Sequence, residues 1–198
     1  MNVIARRRRP WSMVGLIGLA AIVPIALSVL LYLHPHWFAL GHSNHGTLVH
    51  PPVKIETAAL ARPFAASPLP SDFFHGHWTM VYVGSPSCDA ICREALYVTR
   101  QIRLGMGRDI QRVQRLYIVR GDHVNQPKAL RRKHPDLTVA LAPGPAGRHF
   151  AAQFTDAAGG DSIYLVDPNG LLMMTYPVKA KPLGLLKDLR HLLKTNSP

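Results

Sequence analysis

The chain of 198 residues is 47% hydrophobic and 17% charged, and its 23 lysines and arginines against 11 acidic residues give a net charge of +12. Its length beyond the apolar N-terminus suffices for one hydrophobic core and not two. The acidic residues are scattered, no glycine-rich loop follows a strand pattern and no Ser-His-Asp arrangement is evident, so hydrolytic and nucleotide-dependent chemistry find no support.

In chain order, the first feature is Arg6, Arg7, Arg8 and Arg9, followed by Met13 to Leu33, a run of 21 residues without a charged side chain. As a helix this run reaches about 31 Å, the thickness of a bilayer's hydrocarbon. A cleaved signal peptide has a shorter apolar region and a small-residue cleavage site, whereas this run leads into His34-Pro35-His36-Trp37-Phe38. The expectation is an uncleaved membrane anchor over 13–33. Trp11 and Trp37 stand at its two interfaces, and Pro24 is tolerable within it. Basic residues beside a spanning helix stay in the cytoplasm, which makes 1–12 a cytoplasmic N-terminus and places the remainder outside. So short an arginine-bearing segment leaves no room for a nucleic-acid module. With those four arginines set aside, 19 of the 23 basic residues face 11 acidic ones, a net +8 that favours acidic partners or anionic headgroups at short range.

Residues 34–71 are rich in Pro, His, Ala and Ser and read as a linker. His34, His36, His42, His45 and His50 fall within 17 residues of it; a metal-capturing tether and incidental solvated histidines are the two readings, and the irregular spacing favours the second. The folded domain is expected over 72–198. Trp78 to Val83 is aromatic and β-branched, and the breaker-rich Gly84-Ser85-Pro86-Ser87 follows it, the pattern of a buried strand entering a loop. Ala90 to Leu104 places Ile91, Ala95, Val98 and Ile102 at helical spacing. Then come a strand at Val113 to Val119, a short helix at Lys128 to Lys133, a strand at Leu137 to Ala142, and two strands, Ser162 to Val166 and Leu171 to Tyr176, joined by the turn Asp167-Pro168-Asn169-Gly170. A last helix, Pro182 to Lys194, carries a leucine stripe. This α/β order, with a cysteine loop opening the first long helix, is that of a thioredoxin-like domain on a single N-terminal transmembrane helix.

Cys88 and Cys92 are the only cysteines. A spacing of four arises by chance about once in a hundred and puts both on one face of a helix start, within disulfide reach near 5.5 Å between Cα atoms. The pair can bridge or share one ion. Free amide hydrogens and the helix dipole stabilise a thiolate there, which is both a nucleophile and a soft ligand that prefers Cu(I). A stapling disulfide is the third reading, but a five-residue loop restricts the unfolded chain little.

From about Asn44 onward the chain resembles the Sco/SenC family of membrane-anchored, thioredoxin-like proteins of cytochrome c oxidase assembly. Cys88-Asp89-Ala90-Ile91-Cys92 matches the family's Cys-x-x-x-Cys after its first core strand, and Tyr164-Leu165-Val166-Asp167-Pro168-Asn169-Gly170 matches its late hairpin. Asn44-His45-Gly46-Thr47-Leu48, Cys92-Arg93-Glu94-Ala95-Leu96-Tyr97 and Arg100-Gln101-Ile102-Arg103 are similar to a divergent bacterial branch associated with oxidase genes. The resemblance implies a protein of the bacterial inner membrane with its domain in the periplasm. The implied partner is a cytochrome c oxidase subunit or another assembly factor. In copper-binding members a histidine shortly before the late hairpin is the third ligand. Phe154 to Ile163 contains none here, and Arg93 stands where the family usually has proline.

Three functions follow. Cys88 and Cys92 act as a thiol–disulfide oxidoreductase pair, with Cys88 attacking and Cys92 resolving; or they hold Cu(I) as a metallochaperone whose third ligand the sequence does not assign; or the fold is a non-catalytic scaffold. His75 and His77 precede the first core strand and lie roughly 20 Å from its cysteine end, too far to ligate. His123 and His149 are expected in loops. Met173 and Met174, adjacent on a strand, are expected on opposite faces, at least one of them in the core.

Overall fold

The structure, a computed structural model, describes residues 11–33, 44–155 and 161–195. Arg6 to Arg9, His34 to His42 and the middle of the segment lacking the ligand histidine (156–160) lie outside the described residues, as do Trp37 and the Trp11 side chain. Helix α1, Trp11–Leu33, forms a unit separate from the domain that begins at Asn44. Its stretch Gly15–Leu33 is long and apolar enough to cross a membrane. Proline at position 24 leaves the helix intact, and the hydroxyl of Ser28 donates to the Pro24 carbonyl at 2.8 Å.

The domain is a six-stranded mixed sheet in the order β1-β6-β5-β2-β3-β4. Strand β1 is Thr47–Lys54, β2 is Trp78–Gly84, β3 is Val113–Val119, β4 is Leu137–Leu141, β5 is Ser162–Val166 and β6 is Leu171–Pro177. Parallel pairing of β2, β3 and β4 needs crossover segments, which helices α2 (Ala90–Leu104) and α3 (Pro127–Lys133) supply. The β5–β6 hairpin closes on the Asp167 carboxylate, which accepts from the amides of Asn169 and Leu171 at 2.9 and 2.8 Å, and on Gly170 at φ +82°. Strand β2 is buried along its whole length, as its unbroken apolar run requires when both faces of a sheet are covered.

Alternation divides the core. One face carries Met80, Tyr82, Tyr117, Val139 and Leu165 beneath α2 and the last helix, α5 (Pro182–Thr195). The other carries Val81, Val83, Leu116, Ile118 and Tyr164 beneath Phe150, Ala151 and Phe154 of α4, Gly144–Thr155. Helix α4 falls where the sequence suggested only a loop. Its glycine and proline start conceals it, and the three apolar residues that hold it make sense only against the sheet.

The linker expected over 34–71 is corrected from Asn44 onward. Strand β1 pairs antiparallel with β6, Thr47 opposite Thr175 and Lys54 opposite Leu171, while Ile55, Leu60 and Leu69 are buried in the second core cluster. Farther on, the Leu141 amide donates to the Ala61 carbonyl at 2.8 Å, so the same segment reaches the outer edge of β4. Its anchor is Asp188 on α5, whose carboxylate accepts from the backbone N–H groups of His45 and Gly46, from the Tyr176 hydroxyl at 2.9 Å and pairs with His45 Nδ1 at 2.9 Å. Met174 is in the core, as expected of at least one of the methionine pair, but the two do not divide between opposite faces. A register shift between Leu165 and Val166 inserts an extra residue in β6, so the half-buried Met173 packs against the same cluster as the buried Met174.

Under α2 lies one buried cation. The Arg115 guanidinium, 1% exposed, donates to the Leu96 carbonyl, to Thr99 Oγ1 at 3.1 Å and to both Asp136 oxygens at 3.2 Å. Burial lowers its pKa and Asp136 opposes that change, so it remains a paired cation beneath the helix.

Candidate functional site

The cysteine loop begins where β2 ends and is held from the neighbouring elements. The Tyr117 hydroxyl donates to the Ser85 carbonyl at 2.6 Å, the Asn125 amide donates to the Pro86 carbonyl at 3.0 Å, and the Cys88 amide donates back to Ser85 at 3.1 Å. A Cβ on Gly121 would sit 2.8 Å from the Pro86 ring, so only glycine lets the loop after β3 lie this close. Cys88 itself has φ +45°, in the left-handed region that disfavours a side chain, a conformation imposed by the loop's ties at Ser85 and Pro86.

Asp89 caps α2. Its carboxylate accepts from the Cys92 amide at 2.9 Å. The expectation of free amide hydrogens at this helix start is therefore modified: one of them is already taken, by an acidic side chain. A counterweight stands beside it, since Arg93 Nη1 donates to the Cys88 carbonyl at 3.1 Å. Asp89→Ala is expected to cost about 1 kcal/mol of stability, read as a lower urea midpoint with an unchanged slope.

The two sulfurs are bonded to each other, with Cα atoms 5.0 Å apart. They are unequal. Cys92 is 1% exposed and belongs to the core beneath α2, whereas Cys88 is half-buried and lines an open groove of about 630 Å³ between α2 and α3. Tyr82 and Tyr117 stack nearby with ring centroids 6.0 Å apart. Burial, with Asp161 and Asp89 adding to it, pushes the Tyr82 phenol up to about 12; burial raises Tyr117 as well. Both remain neutral phenols, and the Tyr117 hydroxyl holds the cysteine loop through the Ser85 carbonyl.

The histidines weighed as ligands are not brought to the pair. His75 and His77 are exposed ahead of β2, His77 Nδ1 lying 3.1 Å from the His75 carbonyl. His123 is exposed in the loop after β3, with Nδ1 2.7 Å from Asp122. His149 lies on α4 and not in the expected loop, and α4 covers the sheet face opposite α2. His45 is committed to Asp188. Among the described residues no three His, Cys, Asp or Glu side chains group as a metal site.

Sequence reasoning missed His134, just beyond α3. It lines the same groove as Cys88, its Nδ1 is buried without a hydrogen-bond partner, and burial together with Arg115 and Arg100 lowers its pKa to about 4. It is a neutral imidazole at ordinary pH. No sequence signal marks it, because its burial depends on how α3 packs.

Comparison with known proteins agrees with this geometry. No curated protein matches the chain by sequence. Among solved structures, yeast Sco1 with copper bound superposes with a TM-score of 0.57 at 16% identity, over 79% of this chain and 96% of that one. BsSco, described as a member of the Sco family of cytochrome c oxidase assembly proteins with a disulfide switch, gives 0.56 at 14% identity, over 75% and 97%. The thioredoxin domain of a thiol-disulfide oxidoreductase from Bacteroides vulgatus gives 0.52 at 14%, over 74% and 96%. At these identities the likeness establishes a fold shared with Sco proteins. The family model matches residues 78–196, more than half of the chain and all of it from β2 to the last helix, and the chain belongs to the family of transmembrane-like, thioredoxin-like C-terminal domains.

Proposed function

We propose that the chain is a membrane-anchored, periplasm-facing assembly factor for cytochrome c oxidase that exchanges electrons between Cys88–Cys92 and cysteines of a partner. The partner is an oxidase subunit whose copper-site cysteines must be kept reduced, or another assembly factor. The unequal burial of the bonded pair carries this reading: one sulfur faces an open groove and the other lies sealed beneath it. The apolar helix α1, the arginines ahead of it and the fold shared with an oxidase assembly protein that has a disulfide switch support it.

In the reduced protein the Cys88 thiolate attacks one sulfur of a partner disulfide. That bond breaks, a Cys88–partner bond forms, and the partner's second sulfur leaves as a thiolate that takes up a proton. The Cys92 thiolate then attacks Cys88 Sγ, closing the bond seen in the structure and releasing the partner's other thiol. Two electrons pass to the partner, and a dithiol reductant returns the pair to thiols. Cys92→Ser removes the second step, so a mixed disulfide through Cys88 is expected to accumulate on membranes and to disappear under a thiol reductant. The absence of any trapped partner contradicts this function.

Copper as cargo is the second reading, favoured by the copper bound to yeast Sco1. It predicts one Cu(I) per chain in an anaerobic titration of the reduced protein, lost in Cys88→Ser. A spectrum without copper–thiolate coordination removes it. If the double Cys→Ser variant still supports oxidase assembly, only a scaffold remains.

A further inference from the structure

The groove beside Cys88 is one-signed. Arg93 and Arg100 of α2 face Arg132 and Lys133 of α3 across it, and no carboxylate lines it among the described residues. Its floor is apolar: Leu96 and Leu130 lie at the bottom, and Tyr97 stands at the rim, 56% exposed. Of these cations, Arg93 holds the Cys88 carbonyl. Arg103 on the same helix and Arg115 beneath it are paired with Asp136, and Arg112 with Asp109, whereas no ion pair joins Arg100, Arg132 or Lys133 to a described carboxylate. Burial and Arg115 lower the pKa of His134, and Arg100 and Lys133 of the groove add to that lowering. A cationic rim over an apolar floor suits a peptide better than a lipid surface, because the recess is concave and Cys88 stands in its wall.

We infer that this groove is the docking site for an acidic, cysteine-bearing polypeptide segment of the redox partner, whose Asp or Glu side chains pair with Arg93, Arg100, Arg132 and Lys133 while its sulfur meets Cys88. The inference rests on the exchange function proposed above and adds the chemical class of its substrate. Attraction at this range steers encounter and fixes register, so it appears in rate and salt dependence.

The test uses the full chain, reduced, in neutral nanodiscs, with two disulfide-closed peptides of equal length, one flanked by glutamates and one by serines. At low salt the acidic peptide is expected to be reduced about 10-fold faster or more. In about 0.5 M salt, where the Debye length is roughly 4 Å, that ratio falls toward one. The triple variant Arg100→Glu, Arg132→Glu, Lys133→Glu brings the ratio to one or inverts it at low salt. Arg131→Glu, on α3 over the Phe64 ring and outside the groove, preserves it. Equal rates for the two peptides, or a ratio the triple variant does not move, overturn the inference while leaving the exchange function standing. Should neither peptide be reduced, binding of a serine-for-cysteine acidic peptide by fluorescence anisotropy separates the two. Salt-sensitive binding lost in the triple variant keeps the groove and removes the exchange function; no binding removes the groove. The triple variant losing capture by anionic vesicles, with its peptide ratio unchanged, would assign the surface to lipid instead.

Discussion

Cys88→Ser is expected to abolish exchange with an added aromatic disulfide, bringing the reaction of the reduced protein down to the buffer background, whereas Cys92→Ser still reacts once at its remaining sulfur. The difference follows from burial. In the first variant the surviving thiol is Cys92, 1% exposed and packed within the apolar cluster that holds Ala95 and Leu96. In the second it is Cys88, in the wall of a groove with Arg93 donating to its carbonyl. Access and a nearby positive charge both favour the thiolate at Cys88, and a desolvated apolar site disfavours it at Cys92. Stopped-flow release of the aromatic thiol measures both. Equal rates for the two variants would mean that the sulfurs are interchangeable and would remove the assignment of attacking and resolving roles.

Asp188→Ala is expected to cost about 3 kcal/mol, because it strips the Tyr176 hydroxyl and two backbone N–H groups of a charged acceptor in a largely buried place. It also unpins the segment entering β1, so limited proteolysis is expected to shift to sites near His45. The same carboxylate makes stability depend on pH. Burial works to raise its pKa, but hydrogen bonds from His45, Gly46 and Tyr176 outweigh burial and hold it below the ordinary value. A depressed folded pKa contributes stability that is fully present above the unfolded value of about 3.9 and lost as pH falls through the lower, folded one. The urea midpoint of the native protein should therefore drop more steeply below about pH 4 than that of Asp188→Asn. Parallel acid limbs would show that Asp188 does not hold the N-terminal segment. Tyr176 does not share this titration, because burial and the Asp188 carboxylate both raise its pKa and keep it a donor.

What the sequence revealed and what it hid divide along range of interaction. The aromatic and β-branched stretch of β2, the apolar Leu116–Val119 of β3 and the Asp167–Gly170 turn are local signals, and each element lies within a residue or so of its expected place. The cysteine pair was legible for the same reason, since four residues at a helix start fix its geometry without help from the rest of the chain. Strand β1 was not, because Thr47–Lys54 carries two prolines and no alternation, and exists through pairing with β6 more than a hundred residues away. His45 looked like one of five idle linker histidines, and nothing nearby announces Asp188, 143 positions on. The Asp89 cap went unread, although an aspartate just before the first apolar residue of α2 is a capping signal. The basic groove lay beyond the sequence: Arg93, Arg100, Arg132 and Lys133 sit on two helices and converge only when α3 packs beside α2.

All of this presupposes a disulfide that opens and closes in use. Equilibrating the Cys88–Cys92 pair of the full-length protein against a graded dithiol–disulfide buffer gives its reduction potential directly. A potential above roughly −300 mV is expected, within reach of exchanging couples. A value well below that, in the range of bonds that stay closed for the life of a secreted protein, would contradict an exchanging pair and leave Cys88 and Cys92 as a staple.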